Sequence, residues 1–148
     1  VFKGYWNMPE KTAEELRSDG FFITGDLGFV DADGYVSIVG RGKDLVITGG
    51  FNVYPKEVEL AIDALPGVLE SAVIGAPHPD FGEGVVAVVV PEAGAPLDEA
   101  AIRASLSETL AKFKQPKVVA FRASLPRNTM GKVQKTVLRE EFRDIFAS

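Results

Sequence analysis

The chain has 148 residues, of which 46% are apolar and 25% charged, and its formal net charge is −5. This composition is typical of one globular domain, or of a small domain joined to part of another. There is no cysteine and only one histidine, His78, which excludes disulfides and a cysteine nucleophile and argues against a histidine triad or a multi-histidine metal site. The longest apolar run, residues 85–90, is far too short to cross a bilayer, and no signal peptide is apparent. We expect a cytoplasmic protein without a membrane span and, because the sequence opens in mid-pattern without methionine, a part of a longer chain.

Charge is distributed unevenly along the sequence. Residues 112–148 hold nine of the sixteen lysines and arginines but only three of the 21 aspartates and glutamates. Such a segment is either a solvated basic helix face or a surface that meets a polyanion such as a nucleotide phosphate. The basic residues are not interleaved with aromatics on a recognisable motif, so we expect no nucleic-acid partner.

The first predicted elements lie in residues 1–41. Residues 11–20 predict a short helix that Thr12 caps, with Glu15 completing a capping box. Asp33-Gly34 lies between two apolar runs, which is a strong hairpin signal. A calcium loop at Asp31 and Asp33 lacks its later ligands, so the turn interpretation is favoured.

From residue 42 onward the pattern predicts a compact unit with the order strand, helix, strand, strand, helix, strand, helix. The strand at residues 84–91 is apolar on both faces, which indicates a central position in the sheet. Pro55 can begin the first helix, Asp98 can cap the second, and the last helix runs from Val133 to about Phe146. The join near Gly42 is the predicted domain boundary, between a hairpin region at 1–41 and the unit at 42–148.

Neither a P-loop nor a Rossmann glycine motif is present, so the usual nucleotide-binding motifs are excluded. Two clusters of residues near the predicted boundary could nevertheless bind a ligand. The stretch "ITGD" ends in Asp26, whose carboxylate can bind two vicinal hydroxyls, as on a ribose, or simply cap a turn. In "GRGKDLVITGG", Arg41 offers a planar fork for phosphate or ribose oxygens. Gly49-Gly50 either permits close approach of a ligand or forms an ordinary turn.

A third cluster lies near the C-terminus. In "PRNTMGK", residues 128–131 can form a loop that presents Lys132 as a point charge at its tip, although a surface lysine is the default interpretation. The ordered combination "GDL…GRGKD…GGFNVYPKEVE…PRNTMGK" resembles the C-terminal part of adenylate-forming enzymes, the acyl-CoA synthetases and their relatives. With "KFKQPK" and "LPRNTMGKVQK", it is most similar to the bacterial malonyl-CoA synthetases.

The resemblance implies a two-step reaction: ATP with Mg²⁺ and a small carboxylic acid give an acyl-AMP, and coenzyme A then takes the acyl group. It also implies an α+β fold: a small mobile C-terminal domain at 42–148 with a short mixed sheet flanked by helices, preceded at 1–41 by the hairpin end of a large N-terminal domain. By resemblance, Asp26 and Arg41 bind ATP and Lys43 is the hinge. No metal ligand is implied in this chain.

The resemblance further implies that Gly49, Gly50 and Phe51 line the coenzyme A tunnel and that Lys132 is the catalytic lysine of adenylation. We interpret Gly131 as giving the loop freedom and removing bulk beside that lysine. The phosphate loop and the acyl pocket belong to the N-terminal domain, so we expect the chain alone to be inactive.

Other functions remain open at this stage. The chain resembles medium- or long-chain fatty acyl-CoA ligases through "GFNVYP", and carrier-protein-loading adenylation domains through all three motifs. A different class of function is also open, in which the chain is the substrate of a protein-modifying enzyme. Related synthetases are regulated by acylation of the matching lysine. The resemblance therefore implies that Lys132 is acetylated by a lysine acetyltransferase and restored by a deacetylase.

Overall fold

The computed structural model describes residues 2–147, which divide into two compact units after Lys43. The first unit contains one helix, α1 (Pro9–Glu15), and an antiparallel pair of strands, β1 (Asp26–Val30) and β2 (Val36–Arg41). The hairpin prediction is confirmed: the Asp31 carboxylate accepts the Tyr35 N–H at 2.9 Å, and Gly34 adopts a φ of +87°.

The predicted cap of α1 is wrong. The helix begins at Pro9, with Met8 at the N-cap and no side-chain cap. Proline is pre-organised for the first helical position, so it starts the helix before Thr12 is reached. Thr12 lies inside α1, where its hydroxyl donates to the Met8 carbonyl at 2.8 Å and accepts the Tyr5 N–H at 2.9 Å.

The second unit contains five strands and three helices. They are β3 (Val46–Thr48), β4 (Phe51–Val53), α2 (Pro55–Asp63), β5 (Val68–His78), β6 (Gly82–Pro91), α3 (Glu99–Thr109), β7 (Val118–Phe121) and α4 (Lys135–Glu141).

One mixed sheet organises this unit. Its strand order is β4-β3-β6-β5, and β7 pairs with β6 in parallel while the other pairs are antiparallel. Strand β6 is buried from Gly84 to Val90, so its predicted central position is confirmed. The expected α+β fold with a mixed sheet between helices is likewise confirmed.

The helices cover the two faces of the sheet. Strand side chains alternate between faces, so Val73 joins one hydrophobic cluster while its neighbours Ala72 and Ile74 join the other. Helices α2 and α3 pack into the first cluster, and α4 packs into the second through Leu138. The sheet is therefore the middle layer of three, and α2 and α4 lie on opposite sides of it.

Local signals explain most of the helix starts in this unit. Pro55 occupies the first turn of α2, and the Asp98 carboxylate caps α3 by accepting the Ala101 N–H at 2.8 Å. The sequence interpretation missed β4. It pairs with β3 across a two-residue turn in which Gly49 and Gly50 have φ values of +56° and +82°, a conformation that favours glycine at both positions.

No helix within residues 2–147 is both long enough and apolar enough to cross a membrane.

Candidate functional site

Asp26 and Arg41 face each other at the open end of the β1–β2 hairpin. They are partners in the strand register, and the Arg41 Nε atom lies 2.8 Å from the Asp26 Oδ1 atom. Arg41 also donates to the Thr24 carbonyl at 3.2 Å. A carboxylate offers about four lone-pair sites and a guanidinium five N–H donors. Both groups therefore keep free capacity for a polar ligand while holding each other in place.

The segment around Lys132 is a tight hairpin loop. An isolated antiparallel bridge joins Arg127 to Val133, and the Asn128 N–H donates to the Lys132 carbonyl at 2.9 Å. The Gly131 N–H donates to the Asn128 carbonyl at 2.9 Å, which closes the turn. The predicted loop thus exists, but its tip is formed by residues 129–131, and Lys132 lies opposite Asn128 on the returning arm and not at the tip. We call residues 127–133 the lysine loop.

The structure changes the interpretation of Gly131. Its φ is +77°, and a Cβ atom built there would meet nothing within 4 Å. The glycine is therefore required by backbone conformation and not by crowding, and the hydrogen-bonded turn contradicts the idea that it gives the loop freedom. Lys132 itself is exposed and makes no ion pair with any other residue in 2–147.

Two of the three predicted tunnel residues line a cavity of about 440 Å³ in the second unit. Gly49 and Phe51 contribute to its wall, whereas Gly50 completes the β3–β4 turn outside the lining. The Phe51 ring stacks on Phe113 with centroids 4.7 Å apart. The wall is thus largely apolar and aromatic, which suits a slender, mostly apolar chain.

Basic side chains stand at this cavity. Lys112 and Lys117 line it, and the Lys117 Nζ atom lies 4.1 Å from the Phe81 ring centroid, a cation–π contact. Neither lysine makes an ion pair within the described part of the chain. The basic segment noted in the sequence therefore contributes cations to a specific cavity. Its sequence position alone did not show this.

Lys43 lies in a single 3₁₀ turn, Gly42–Asp44, at the end of the first unit. The next residue, Asp44, pairs with Arg139 on α4 at 3.0 Å. These side chains are only 18% and 28% exposed, respectively, so the contact is partly shielded from water. The chain is thus fixed to the second unit immediately after Lys43.

A buried ion pair that the sequence interpretation missed joins α4 to α2. Glu59 is 7% exposed, and its Oε1 atom accepts both the Val73 N–H at 2.9 Å and the Lys135 Nζ atom at 2.5 Å. Because α2 and α4 lie on opposite faces, this pair reaches around β5. Lys135 is the first residue of α4, and its side chain is 18% exposed.

Within residues 2–147 there is no group of three or more histidine or carboxylate side chains placed to hold a metal ion. The first unit carries a carboxylate and a guanidinium with spare hydrogen-bonding capacity, at Asp26 and Arg41. The second unit carries a cavity rimmed by lysines and, apart from the cavity, the exposed Lys132 in a hydrogen-bonded loop. Each of these cationic groups can by its charge attract a phosphate group.

Residues 57–132, just over half of the chain, match the model of the AMP-binding enzyme C-terminal domain family, and the chain belongs to this family. It is 52% identical over 141 residues to the 3-[(3aS,4S,7aS)-7a-methyl-1,5-dioxo-octahydro-1H-inden-4-yl]propanoyl:CoA ligase of Rhodococcus jostii, covering 95% of this chain and 27% of that protein. It is 45% identical over 142 residues to the long-chain-fatty-acid–CoA ligase FadD13 of Mycobacterium tuberculosis, covering 96% and 28%.

Among solved structures, ATP-bound MatB from Rhodopseudomonas palustris is 70% identical to this chain, with a TM-score of 0.91. The match covers 99% of this chain and 29% of MatB. The chain therefore spans less than a third of the length of the relatives that it matches.

Proposed function

We propose that this chain is the C-terminal part of an AMP-forming acyl-CoA synthetase and that it contributes different parts to the two half-reactions. In the first, a carboxylate oxygen of the acid attacks the α-phosphorus of magnesium-bound ATP and pyrophosphate leaves. In the second, the coenzyme A thiol attacks the acyl carbonyl and AMP leaves. The large N-terminal domain of the same enzyme is the partner, with residues 1–41 as its hairpin end and residues 42–148 as the mobile domain.

The observation that carries this proposal is the separation of the lysine loop from the cavity. Arg127 of the loop pairs with Glu70, which lies opposite Val90 in the β5–β6 ladder, whereas the cavity includes Val85. Five residues of strand separate Val85 from Val90, roughly 17 Å at about 3.3 Å per residue. The loop and the cavity thus serve different ends of one rigid sheet. A mobile domain can present the end with the lysine loop in the first half-reaction and the end with the cavity in the second. Lys43 is the proposed pivot of this movement.

Lys132 is the proposed catalytic residue of adenylation. Negative charge on the α-phosphate and the attacking oxygen is stabilised by a cation aimed at it. The exposed ammonium of Lys132 is free of ion pairs within residues 2–147, so it loses no protein partner when it binds an anion. Asp26 and Arg41 are the proposed ribose and nucleotide contacts, since each retains unused hydrogen-bonding capacity.

The cavity at Gly49 and Phe51 is the proposed route of coenzyme A, with Gly50 shaping its turn. Its apolar wall suits the pantetheine arm, while Lys112 and Lys117 are placed to meet phosphate groups.

Malonate is the proposed acid because the motifs of this chain most resemble those of the bacterial malonyl-CoA synthetases, and the chain is 70% identical to MatB. The similarity to FadD13 favours a longer acyl chain as the second candidate. A carrier-protein thiol in place of coenzyme A is the third.

The test separates the two half-reactions in the full-length enzyme. Lys132→Ala should lower the rate of acyl-AMP formation by about 10²–10³, the usual effect of losing one preorganised charge-stabilising group. Thioester formation from preformed acyl-AMP should be nearly unchanged. Lys56→Ala is the matched control, because Lys56 is also exposed and unpaired within residues 2–147. Equal damage to both half-reactions would count against a lysine that acts in only one.

Two further parts of the proposal concern the chain by itself. Without the phosphate loop and acyl pocket, the isolated chain should release pyrophosphate from malonate and ATP only at background rate. Lys132 is also the proposed target of a lysine acetyltransferase, reversed by a deacetylase, because acetylation of an exposed lysine removes its charge. Peptide mass spectrometry after enzymatic acetylation should find Lys132 modified and Lys135, which is ion-paired and mostly shielded, unmodified. The reverse pattern would refute this regulation.

A further inference from the structure

Asn128 holds both backbone polar groups of Lys132. Its N–H donates to the Lys132 carbonyl at 2.9 Å, and its side-chain Oδ1 atom accepts the Lys132 N–H at 2.9 Å. The same oxygen accepts the Met130 N–H at 3.0 Å. The peptide groups on each side of Lys132 therefore have fixed directions, although the loop is on the surface.

Arg127 ties this loop to the core sheet. Its Nη1 atom donates to the Gly131 carbonyl at 2.6 Å, and its Nη2 atom pairs with the Glu70 carboxylate. Glu70 belongs to β5, and the two residues are 57 positions apart in the sequence. A planar guanidinium can donate in two directions at once, which an ammonium cannot do with the same geometry. The result is a connection from a buried strand to the carbonyl next to Lys132.

Stability alone is a weak explanation for this connection. The Glu70 and Arg127 side chains are 27% and 44% exposed, and ion pairs with such access to water contribute little to folding. The contacts converge on the backbone at Gly131 and Lys132, while the Lys132 side chain makes no ion pair within residues 2–147. A fixed backbone with an unengaged side chain is the arrangement needed to aim a charge.

Resting on the function proposed above, we propose that Glu70 and Arg127 are positioning residues for adenylation. Glu70 orients Arg127, Arg127 fixes the Gly131 carbonyl, and the loop thereby holds the Lys132 ammonium at one distance from the reacting phosphate. A misplacement of about 1 Å at a reacting group can lower a rate on the order of 10²-fold. Neither residue needs to touch the substrate for this effect.

The variants for the test are Glu70→Ala and Glu70→Gln in the full-length enzyme. Glu70→Ala should lower the kcat of adenylation about tenfold or more while the KM for ATP and the thioester-forming rate remain close to those of the unmodified enzyme. Glu70→Gln keeps an acceptor oxygen for Arg127 and should recover part of the loss. Glu141→Ala is the matched control, since it removes the comparably exposed Arg122–Glu141 pair outside the lysine loop and should leave both half-reactions unchanged.

A double variant decides whether Glu70 acts through Lys132. In the Lys132→Ala background, Glu70→Ala should cause no further loss of adenylation, because there is no ammonium left to position. A full additional loss in that background, an unchanged kcat in Glu70→Ala, or an equal fall in both half-reactions would each overturn the positioning role. The proposed function fails separately, when Lys132→Ala alone leaves adenylation intact.

Discussion

Replacing Lys135 with alanine should destabilise the second unit far more than replacing its exposed neighbour Lys132. The Glu59 carboxylate is 7% exposed and is held by two contacts, the Val73 N–H at 2.9 Å and the Lys135 ammonium at 2.5 Å. Lys135→Ala removes the only one of these partners that carries a charge. The Glu59 carboxylate is then left in a shielded site without a charged partner, which costs free energy.

The size of the effect follows from burial. Removing one partner of a fully buried ion pair costs roughly 3–5 kcal/mol. The Lys135 side chain is 18% exposed, so water can reach part of the vacated space, and we expect about 2–3 kcal/mol. For a unit of this size, that corresponds to a fall in Tm of about 10 °C.

Urea unfolding and thermal melting of the chain, followed by circular dichroism, measure this loss. Lys132→Ala is the control and should change the free energy of unfolding by less than about 0.5 kcal/mol. A Glu59→Gln, Lys135→Met double variant removes both charges and should recover part of the stability. If the Lys135→Ala and Lys132→Ala variants unfold at the same urea concentration, the Glu59–Lys135 ion pair does not stabilise the second unit.

Three further predictions concern the hinge, the lysine loop and pH. Lys43→Pro in the full-length enzyme should spare adenylation and slow thioester formation, because proline fixes φ at the proposed pivot; normal rates in both half-reaction assays would place the pivot elsewhere. Gly131→Ala and Gly94→Ala should each lower the free energy of unfolding in urea by about 1–2 kcal/mol, because both glycines have a φ near +77° with open space around them. Only Gly131→Ala should also slow adenylation, since Gly94 lies outside the lysine loop. The pKa of Glu15 lies below its ordinary value because Lys11 hydrogen bonds to it, so its contribution to stability is present at neutral pH and is lost as pH falls through that lowered pKa. NMR titration should show the Glu15 pKa rising in Lys11→Ala, and an unchanged pKa would contradict this.

Features that depend on neighbouring residues could be predicted from the sequence. The Asp33-Gly34 turn, the Asp98 cap and the central β6 follow from local hydrogen bonding and from an unbroken apolar run. The short β4 strand could not be predicted, since three residues give too little periodicity and pair only because Gly49 and Gly50 reverse the chain.

The contacts that support the candidate site could not be predicted from the sequence for a different reason. A lysine at a helix start is ordinarily exposed, and only the folded chain shows that Lys135 reaches Glu59 around a strand. Glu70 and Arg127 likewise are 57 positions apart in the sequence and meet only in the folded chain. Two charged residues far apart in the sequence leave no periodic pattern that would reveal their pairing. The spacing of the motifs therefore indicated Lys132 but not the Glu70–Arg127 pair that supports its loop.

The two ion pairs of α4 have a mechanical consequence. Lys135 and Arg139 lie one helical turn apart and fasten this short helix to Glu59 and to Asp44. Asp44 directly follows Lys43, and Lys132 lies only three residues before the helix begins. The helix therefore links the first residues of the second unit to the segment that follows the lysine loop. If Lys43 is the pivot, as proposed above, a change in its backbone torsion angles would therefore move α4 and the lysine loop together with the rest of the second unit.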